Sequence, residues 1–124
     1  MTTRTTFSVT AILTFLLGVA WMTAPAIMLD GWGLPADAAT VYMSRRCGGL
    51  FLGYTAILWF ARTAGASPAR HAIATGGFVV TVVMAVLSLM HAAGNANAPA
   101  AWIAAAIEVA LAAAFGYLLL TEKR

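Results

Sequence analysis

Four long apolar stretches, separated by three short polar segments, dominate the pattern of the chain. They run from about Phe7 to Met28, Ala39 to Ala61, His71 to Ala92 and Ala100 to Leu120. A helix needs about 20 mostly apolar residues to cross a hydrocarbon core about 30 Å thick, so each stretch is long enough to span a bilayer. The pattern predicts an all-α fold, in which residues 1–124 form one transmembrane domain of four antiparallel helices.

The segments between the stretches contain residues that end helices and form turns. They read LDGWGLPADA, RTAGASPAR and HAAGNANAPA, and each is rich in glycine, proline, aspartate or asparagine. Ser67 before Pro68, and Asn97 before Pro99, are expected to begin helices with proline in the first turn. Connections this short require neighbouring helices to run in opposite directions.

The composition places the chain in lipid rather than in water. Residues of the AVILMFWYC set make up 62% of the chain, charged residues make up 9%, and the mean hydropathy is +0.89. A soluble domain usually carries about 25% charged residues. This excludes a cytosolic enzyme, a disordered tail and a nucleic-acid-binding domain, and the single Cys47 excludes both an internal disulfide and a thiolate metal site.

The basic residues indicate the orientation of the predicted helices. Five of them flank the membrane on one side, and the connections on the other side contain no Lys or Arg: the five are Arg4, Arg62, Arg70, Lys123 and Arg124. Basic segments remain in the cytoplasm, so both termini are predicted to be cytoplasmic. Arg4 and the sequence Ala24-Pro25-Ala26 also imitate a cleaved signal peptide, but the apolar run between them is longer than a usual signal core.

Three charged residues lie inside the predicted spans, namely Arg45, Arg46 and Glu108. A charge at the bilayer centre costs at least ~2.5–3.5 kcal/mol, so such residues are expected to face protein or a water-filled cavity. With ~1.5 Å of rise per residue, all three lie roughly 9–12 Å below the outer ends of their helices. Glu108 is therefore predicted to pair with an arginine, with Arg46 favoured, and Glu108→Gln is expected to cost ~3–5 kcal/mol of stability.

The helical period predicts which faces pack together. On the second helix one stripe contains Tyr42, Gly49, Gly53 and Ala56, and the G-x-x-x-G pair of Gly49 and Gly53 predicts close helix packing, either within the bundle or between subunits. On the third helix the small or polar face contains Gly77, Thr81, Ala85 and Ser88. On the fourth helix the face of Glu108 contains Ala101, Ala104, Ala105 and Ala112. The large apolar residues expected to face lipid are Leu50, Phe51, Ile57, Leu58, Val82 and Val86.

These polar groups predict one candidate binding site in the outer half of the bundle. Its residues are Tyr42, Arg45, Arg46, Ser88, His91 and Glu108, and its expected ligand is the polar head of a lipid-like or quinone-like amphipathic molecule. The alternative is a closed bundle in which the charges only satisfy one another. His71 lies at the opposite membrane face from His91, so no bis-histidine site is expected; neither a metal, a cofactor nor a catalytic residue is predicted.

The four short-looped helices and the second span, YMSRRCGGLFLGYTAILWFAR, resemble the DoxX-like group of small bacterial membrane proteins. The resemblance covers the architecture of the whole chain and, at the level of a motif, Arg46, Gly48 and Gly49. It implies a multi-pass protein of the bacterial inner membrane. Members of that group have been linked to quinone-coupled oxidoreductase complexes, and no catalytic residue transfers from it.

Three classes of function follow from these features. The favoured class is a non-enzymatic binding or accessory protein, with membrane lipids, a second copy or a larger membrane complex as partners. The second is a small proton-coupled transporter using Glu108; small multidrug exporters also have a lone membrane glutamate, but in the first helix, which here contains no acid. The third is a membrane enzyme, or a subunit of a membrane oxidoreductase complex, with Glu108 or His91 as acid or base.

The topology can be tested with a reporter that is active only in the periplasm. Fused after Arg124, it is expected to be inactive, because the basic residues retain that end in the cytoplasm. The same reporter inserted between Gly33 and Leu34 is expected to be active. Periplasmic activity of the C-terminal fusion would contradict the predicted orientation.

Overall fold

The protein, described here by a computed structural model of residues 2–121, is built from helices. In this range the five helices are α1 (Thr3–Thr23), α2 (Pro25–Gly31), α3 (Ala38–Ala61), α4 (Pro68–Gly94) and α5 (Pro99–Thr121), and there is no strand. The predicted all-α fold is confirmed. Lys123 and Arg124, which contributed to the predicted orientation, lie outside the described residues.

The first predicted span is divided into two helices at Pro25. Ala24 leaves the helical region, with φ −131° and ψ 53°, and Pro25 becomes the first residue of α2. Proline lacks an N–H group and disfavours a helical conformation in the residue before it, so it ends α1 and begins a new helix. The short α2 contacts α1, α3 and α5 and crosses one end of the bundle, called here the α2 end.

Side-chain oxygens cap the N-termini of three of the long helices. Thr2, Asp37 and Ser67 accept hydrogen bonds from the backbone N–H groups three residues ahead, at 3.3, 2.8 and 3.2 Å. Such caps satisfy N–H groups that the helix leaves without a partner. At Asp37, hydrogen bonds from the Thr40 amide and hydroxyl hold the pKa of the carboxyl below its usual value of 3.8. The predicted starts at Pro68 and Pro99 are confirmed.

The four long helices form two antiparallel hairpins. In the first, α1 packs along α3, and the hydroxyls of Thr14 and Thr55 lie 2.8 Å apart in a hydrogen bond. In the second, α4 packs along α5, and Gly77 lies directly against the ring of Phe115. Each hairpin is a continuous half of the chain, so most of the packing joins residues that are close in sequence.

The two hairpins meet mainly at the two ends of the bundle. At the terminal end, away from α2, side chains from all four long helices form one buried cluster: Phe7, Ala11, Leu58, Ala74, Phe115 and Leu118. The rings of Phe7 and Phe115 are 6.0 Å apart at its centre. At the α2 end a smaller cluster joins Trp32 to Ala92, Ala98 and Ala101. Large side chains therefore connect the hairpins where the backbones do not approach closely.

Three helices are long and apolar enough to cross a membrane, whereas four were predicted. They are α1, α4 and α5 in the described part of the chain. The 24-residue α3 has the required length, but Arg45 and Arg46 lower its hydropathy. The membrane character of three helices is thus supported by the structure, while the fourth span and the orientation stay predictions.

The structure corrects the predicted inner face of α3. Its buried residues are Ser44, Gly48 and Leu58, whereas the predicted inner stripe of Tyr42, Gly49, Gly53 and Ala56 is exposed. The close contact is made by the neighbouring glycine: a Cβ added to Gly48 would lie 2.9 Å from the carbonyl oxygen of Gly18. Leu58 was expected to face lipid, but it is fully buried because α3 is rotated so that the side carrying Gly48 points into the bundle.

The buried faces predicted for α4 and α5 agree with the structure better than the face predicted for α3. Gly77, Thr81, Ala85 and Ser88 are all buried along α4, which confirms the small and polar face expected from the sequence. On α5 the buried alanines are Ala101 and Ala105, which belong to the predicted face around Glu108. The helical period identified these faces because the large and small residues of α4 are clearly separated around its axis.

The adjacent glycines of α3 provide a matched test of the packing. Gly48→Ala would press a methyl group against the backbone of Gly18 and Met22, and overpacking of this kind costs about 1–3 kcal/mol. Gly49→Ala meets no atom within 4 Å and improves helix propensity by up to about 1 kcal/mol. Thermal unfolding in mild detergent is expected to show a lower Tm for Gly48→Ala only. A larger loss with Gly49→Ala would contradict this rotation of α3.

Candidate functional site

A cavity of about 550 Å³ separates the two hairpins in the half of the bundle nearest α2. Residues of α3 line one side, including Met43, Cys47 and Phe51, and residues of α5 line the other side. Met84 contributes from α4, while Leu17 and Trp21 contribute from α1. The volume lies within the range of about 300–1,000 Å³ that is usual for small-molecule sites.

The cavity follows from where the large side chains are placed. Two phenylalanines hold the hairpins apart at the terminal end, as Phe7 and Phe115 are both fully buried between them. Towards α2, Ser44 and Cys47 of α3 and Ala104 of α5 are small residues among the larger ones that line the space between the hairpins. Small side chains cannot bridge the space that aromatic rings fill elsewhere, so a gap is left between α3 and α5.

The α2 end of the cavity is covered by Trp32, which is fixed by His91. The ring of Trp32 lies 5.8 Å from that of His91 and 6.5 Å from that of Trp21. The Nε2 atom of His91 donates a hydrogen bond of 2.7 Å to the Trp32 carbonyl oxygen, which can only accept. His91 thus connects α4 to the segment after α2, outside the residues that line the cavity.

Glu108 is the acidic side chain of the cavity. It projects from α5, and its Oε2 atom is buried without a hydrogen-bond partner. The hydroxyl of Ser88 on α4 faces the same carboxyl group. No arginine nitrogen lies within 4.0 Å of it in residues 2–121, so the predicted ion pair with Arg45 or Arg46 is wrong. Similar height along the bundle did not bring these groups together, because Arg45 and Arg46 lie on the face of α3 that points away from the cavity.

Tyr42, Arg45 and Arg46 are exposed and do not line the cavity. An Arg46 Nη1 group donates a long hydrogen bond of 3.4 Å to the Tyr42 hydroxyl, and the guanidinium lies 5.9 Å from the centre of the Tyr42 ring. Of the six predicted site residues, the structure therefore brings Ser88 and Glu108 together, and it places His91 beside the cover. The three residues of α3 lie on its outward face.

Sequence reasoning missed the polar residues that α3 does contribute. Ser44 and Cys47 line the cavity, one turn before and one residue before Gly48. The contact that turns Ser44 and Cys47 inward is the one between Gly48 and Gly18 on α1. Because this contact joins two separate helices, it produces no periodic pattern within either helix that sequence analysis could detect.

The chemistry of the cavity rests mainly on one carboxyl group. Among residues 2–121, no three His, Cys, Asp or Glu side chains converge into a group that could hold a metal ion. Ser44 donates its hydroxyl proton to the Thr40 carbonyl at 2.7 Å, so its oxygen is left to act as an acceptor. The walls are otherwise largely apolar.

No known family model matches the chain, and neither a curated protein nor a solved structure is significantly similar to it. The resemblance to DoxX-like proteins therefore rests on the sequence pattern alone.

The single cysteine permits a direct test of the cavity in the native chain. Methyl methanethiosulfonate is expected to modify Cys47, which is exposed on the cavity wall. Ala104→Trp is expected to slow the modification several-fold, because the indole would fill the space between α5 and α3. Ala106→Trp is the control, since Ala106 is exposed elsewhere on α5. Equal rates in both variants, measured by intact-protein mass spectrometry, would show that the reagent does not reach Cys47 through the space between α5 and α3, and would contradict an open cavity there.

Proposed function

We propose that the chain is a small integral membrane protein that binds an amphipathic molecule in the cavity between its hairpins. The ligand has an apolar tail and a head group that donates hydrogen bonds, and an ammonium group fits best. One observation carries this proposal: the buried Oε2 atom of Glu108 has no partner in an otherwise apolar cavity. An unsatisfied buried acceptor costs about 1–3 kcal/mol, and a donor on the ligand would remove that cost.

The proposal includes α3 as the fourth membrane span, with both termini in the cytoplasm of a bacterial cell. With 24 residues and ~1.5 Å of rise per residue, α3 is about 36 Å long, enough for a hydrocarbon core of about 30 Å. It also packs along the membrane-length α1. Arg4, Arg62 and Arg70 all lie near the terminal end of the bundle, which supports a cytoplasmic location for that end.

The head group must supply most of the selectivity. Lipid tails are as apolar as the cavity walls, so moving a hydrocarbon tail from the bilayer into the cavity gains little free energy. The figure of about 0.8 kcal/mol per methylene applies to transfer from water. Recognition therefore depends on Glu108, where a charge-assisted hydrogen bond contributes about 1.5–3 kcal/mol.

The polar groups of the cavity favour a donor head group over a quinone. Glu108 and Ser44 present acceptor oxygens, whereas a quinone has carbonyl acceptors that need donors. The arginines that could have supplied such donors face away from the cavity. This shifts the expected ligand from a quinone-like molecule towards a lipophilic amine or a lipid with an ammonium head.

The test compares probes of one chain length in phosphatidylcholine nanodiscs. Dodecyldimethylammonium is expected to protect Cys47 from modification at lower concentration than dodecanol does. Glu108→Gln removes the negative charge, so the apparent affinity for the amine is expected to fall about tenfold or more, which corresponds to about 1.4 kcal/mol or more. Asp37→Asn, which removes an exposed acid at the start of α3, is the control.

Glu108→Gln also tests the structural alternative. Since no arginine pairs with Glu108 in the described residues, the Tm of this variant is expected to stay near that of the original protein. A fall equivalent to about 3–5 kcal/mol would indicate a buried ion pair after all. Unchanged affinity of the amine for Glu108→Gln would contradict the proposed function.

The uncompensated carboxyl group also favours one alternative, a small proton-coupled transporter. A carboxylate that faces a ligand cavity without a fixed cation can exchange a proton for a cationic ligand. Proteoliposomes with an imposed pH gradient would distinguish the two, because only a transporter accumulates the amine, and Glu108→Gln would abolish this uptake. An enzyme receives less support, since the His91 Nε2 atom is engaged by the Trp32 carbonyl.

A further inference from the structure

The outward face of α3 carries two arginines without an acidic partner. Arg45 and Arg46 are both exposed, and no carboxylate of residues 2–121 lies within 4.0 Å of either guanidinium group. Arg46 contacts Tyr42 through a long hydrogen bond and the aromatic ring, and this contact brings no negative charge. Two positive charges on a membrane helix need compensation from outside this part of the chain.

The position of the two arginines along α3 indicates where a compensating negative charge would come from. Arg45 and Arg46 are seven and eight residues beyond Ala38, so their Cα atoms lie about 10–12 Å along the axis. Helical side chains lean towards the N-terminus, and arginine extends its charged end along an apolar surface to reach a polar layer. The guanidinium groups thus approach the α2 end, where lipid head groups lie.

Below the arginines, the same face of α3 has a shallow groove. It is formed by Gly49 and Gly53, at which an added methyl group would meet no atom within 4 Å. Leu50 and Ile57, 76% and 54% exposed, stand beside it. Because glycine has no side chain, the helix surface is lowest there, and a flexible hydrocarbon chain can lie along it.

We propose that Tyr42, Arg45, Arg46, Gly49 and Gly53, here the α3 lipid face, bind a phospholipid with a net negative head group. The guanidinium forks hold the phosphate, and one acyl chain lies on the two glycines. Charge complementarity favours this ligand over a zwitterionic lipid, whose ammonium group would meet two cations. The site lies on the opposite side of α3 from the cavity and does not depend on the ligand proposed for it.

A second copy of the chain is a poorer occupant of this face. Two copies with the same membrane orientation, paired across a two-fold axis parallel to the membrane normal, would bring four arginines together. No acid of the described residues lies close enough to compensate them, and like charges repel strongly where the dielectric constant is low. An anionic lipid satisfies the same charges without this penalty.

The test measures which lipids remain bound. The protein is reconstituted with equal amounts of dioleoylphosphatidylglycerol and dioleoylphosphatidylcholine, extracted in mild detergent, and examined by native mass spectrometry. The original chain is expected to retain phosphatidylglycerol preferentially. The combined change of Arg45→Gln and Arg46→Gln is expected to reduce this preference roughly tenfold, the scale of one lost charge-assisted hydrogen bond.

Arg62→Gln is the matched control for charge. Arg62 follows the other end of α3, where its guanidinium lies 3.7 Å from the centre of the Trp59 ring and donates to the Trp59 carbonyl oxygen. Its removal also lowers the net charge, but the lipid preference is expected to persist. An equal loss in this control would mean that net charge alone selects the lipid, and would overturn the proposed site.

Gly53→Leu tests the groove without removing any charge. The leucine side chain has room on this face, so the Tm is expected to be unchanged while retention of phosphatidylglycerol falls. If Gly53→Leu instead converts a dimer into a monomer, this face is an interface between copies, and the proposal is wrong. Should the double arginine variant fail to fold, Arg46→Gln alone is expected to lose part of the preference.

Soluble glycerol phosphate distinguishes a lipid site from a site for any phosphate. It carries the same phosphate group but has no tail, so it is expected not to displace bound phosphatidylglycerol from the original chain. Displacement at comparable concentration would show that the face binds free anions from water, and would contradict the assignment to a lipid.

Discussion

The contact between the backbones of Gly18 and Gly48 determines how the rest of the bundle is arranged. It lets α1 and α3 approach more closely than any side chain would permit, and it thereby fixes the rotation of α3 about its axis. Once that rotation is set, Ser44 and Cys47 face the second hairpin, while Arg45 and Arg46 face outward. In a bilayer, where apolar surfaces gain little from leaving lipid, such close packing contributes much of what holds helices together.

The residues that could be assigned from sequence are those with local signals. Turn residues marked the helix ends, Pro68 and Pro99 marked two helix starts, and α4 showed its buried face through the spacing of small residues. The rotation of α3 had no such signal. Gly48 and Gly49 are adjacent, about 100° apart around the axis, and each could make a close contact. The choice depends on Gly18, which lies thirty residues earlier in a different helix.

The placement of the predicted site residues depends on the same rotation of α3. Depth along a helix follows from counting residues, so a polar site in the half of the bundle near α2 was within reach of the sequence. The direction in which a side chain points around the helix axis cannot be counted in this way when the rotation of the helix is unknown. The predicted pairing of Glu108 with an arginine required both the correct depth and the correct direction. The outcome is two separate regions on opposite sides of α3: the partly open cavity that contains Glu108, and the exposed face that carries Arg45 and Arg46.

The division of the bundle into two hairpins also has a consequence for biogenesis. Residues 3–61 and residues 68–121 each complete most of their own packing, so each hairpin can insert and fold as a unit while the other is still being synthesised. The contacts around Phe7 and Phe115, the contacts of α2 with α5 and the attachment of Trp32 to His91 have to wait for both. The cavity would therefore be the last feature of the molecule to form.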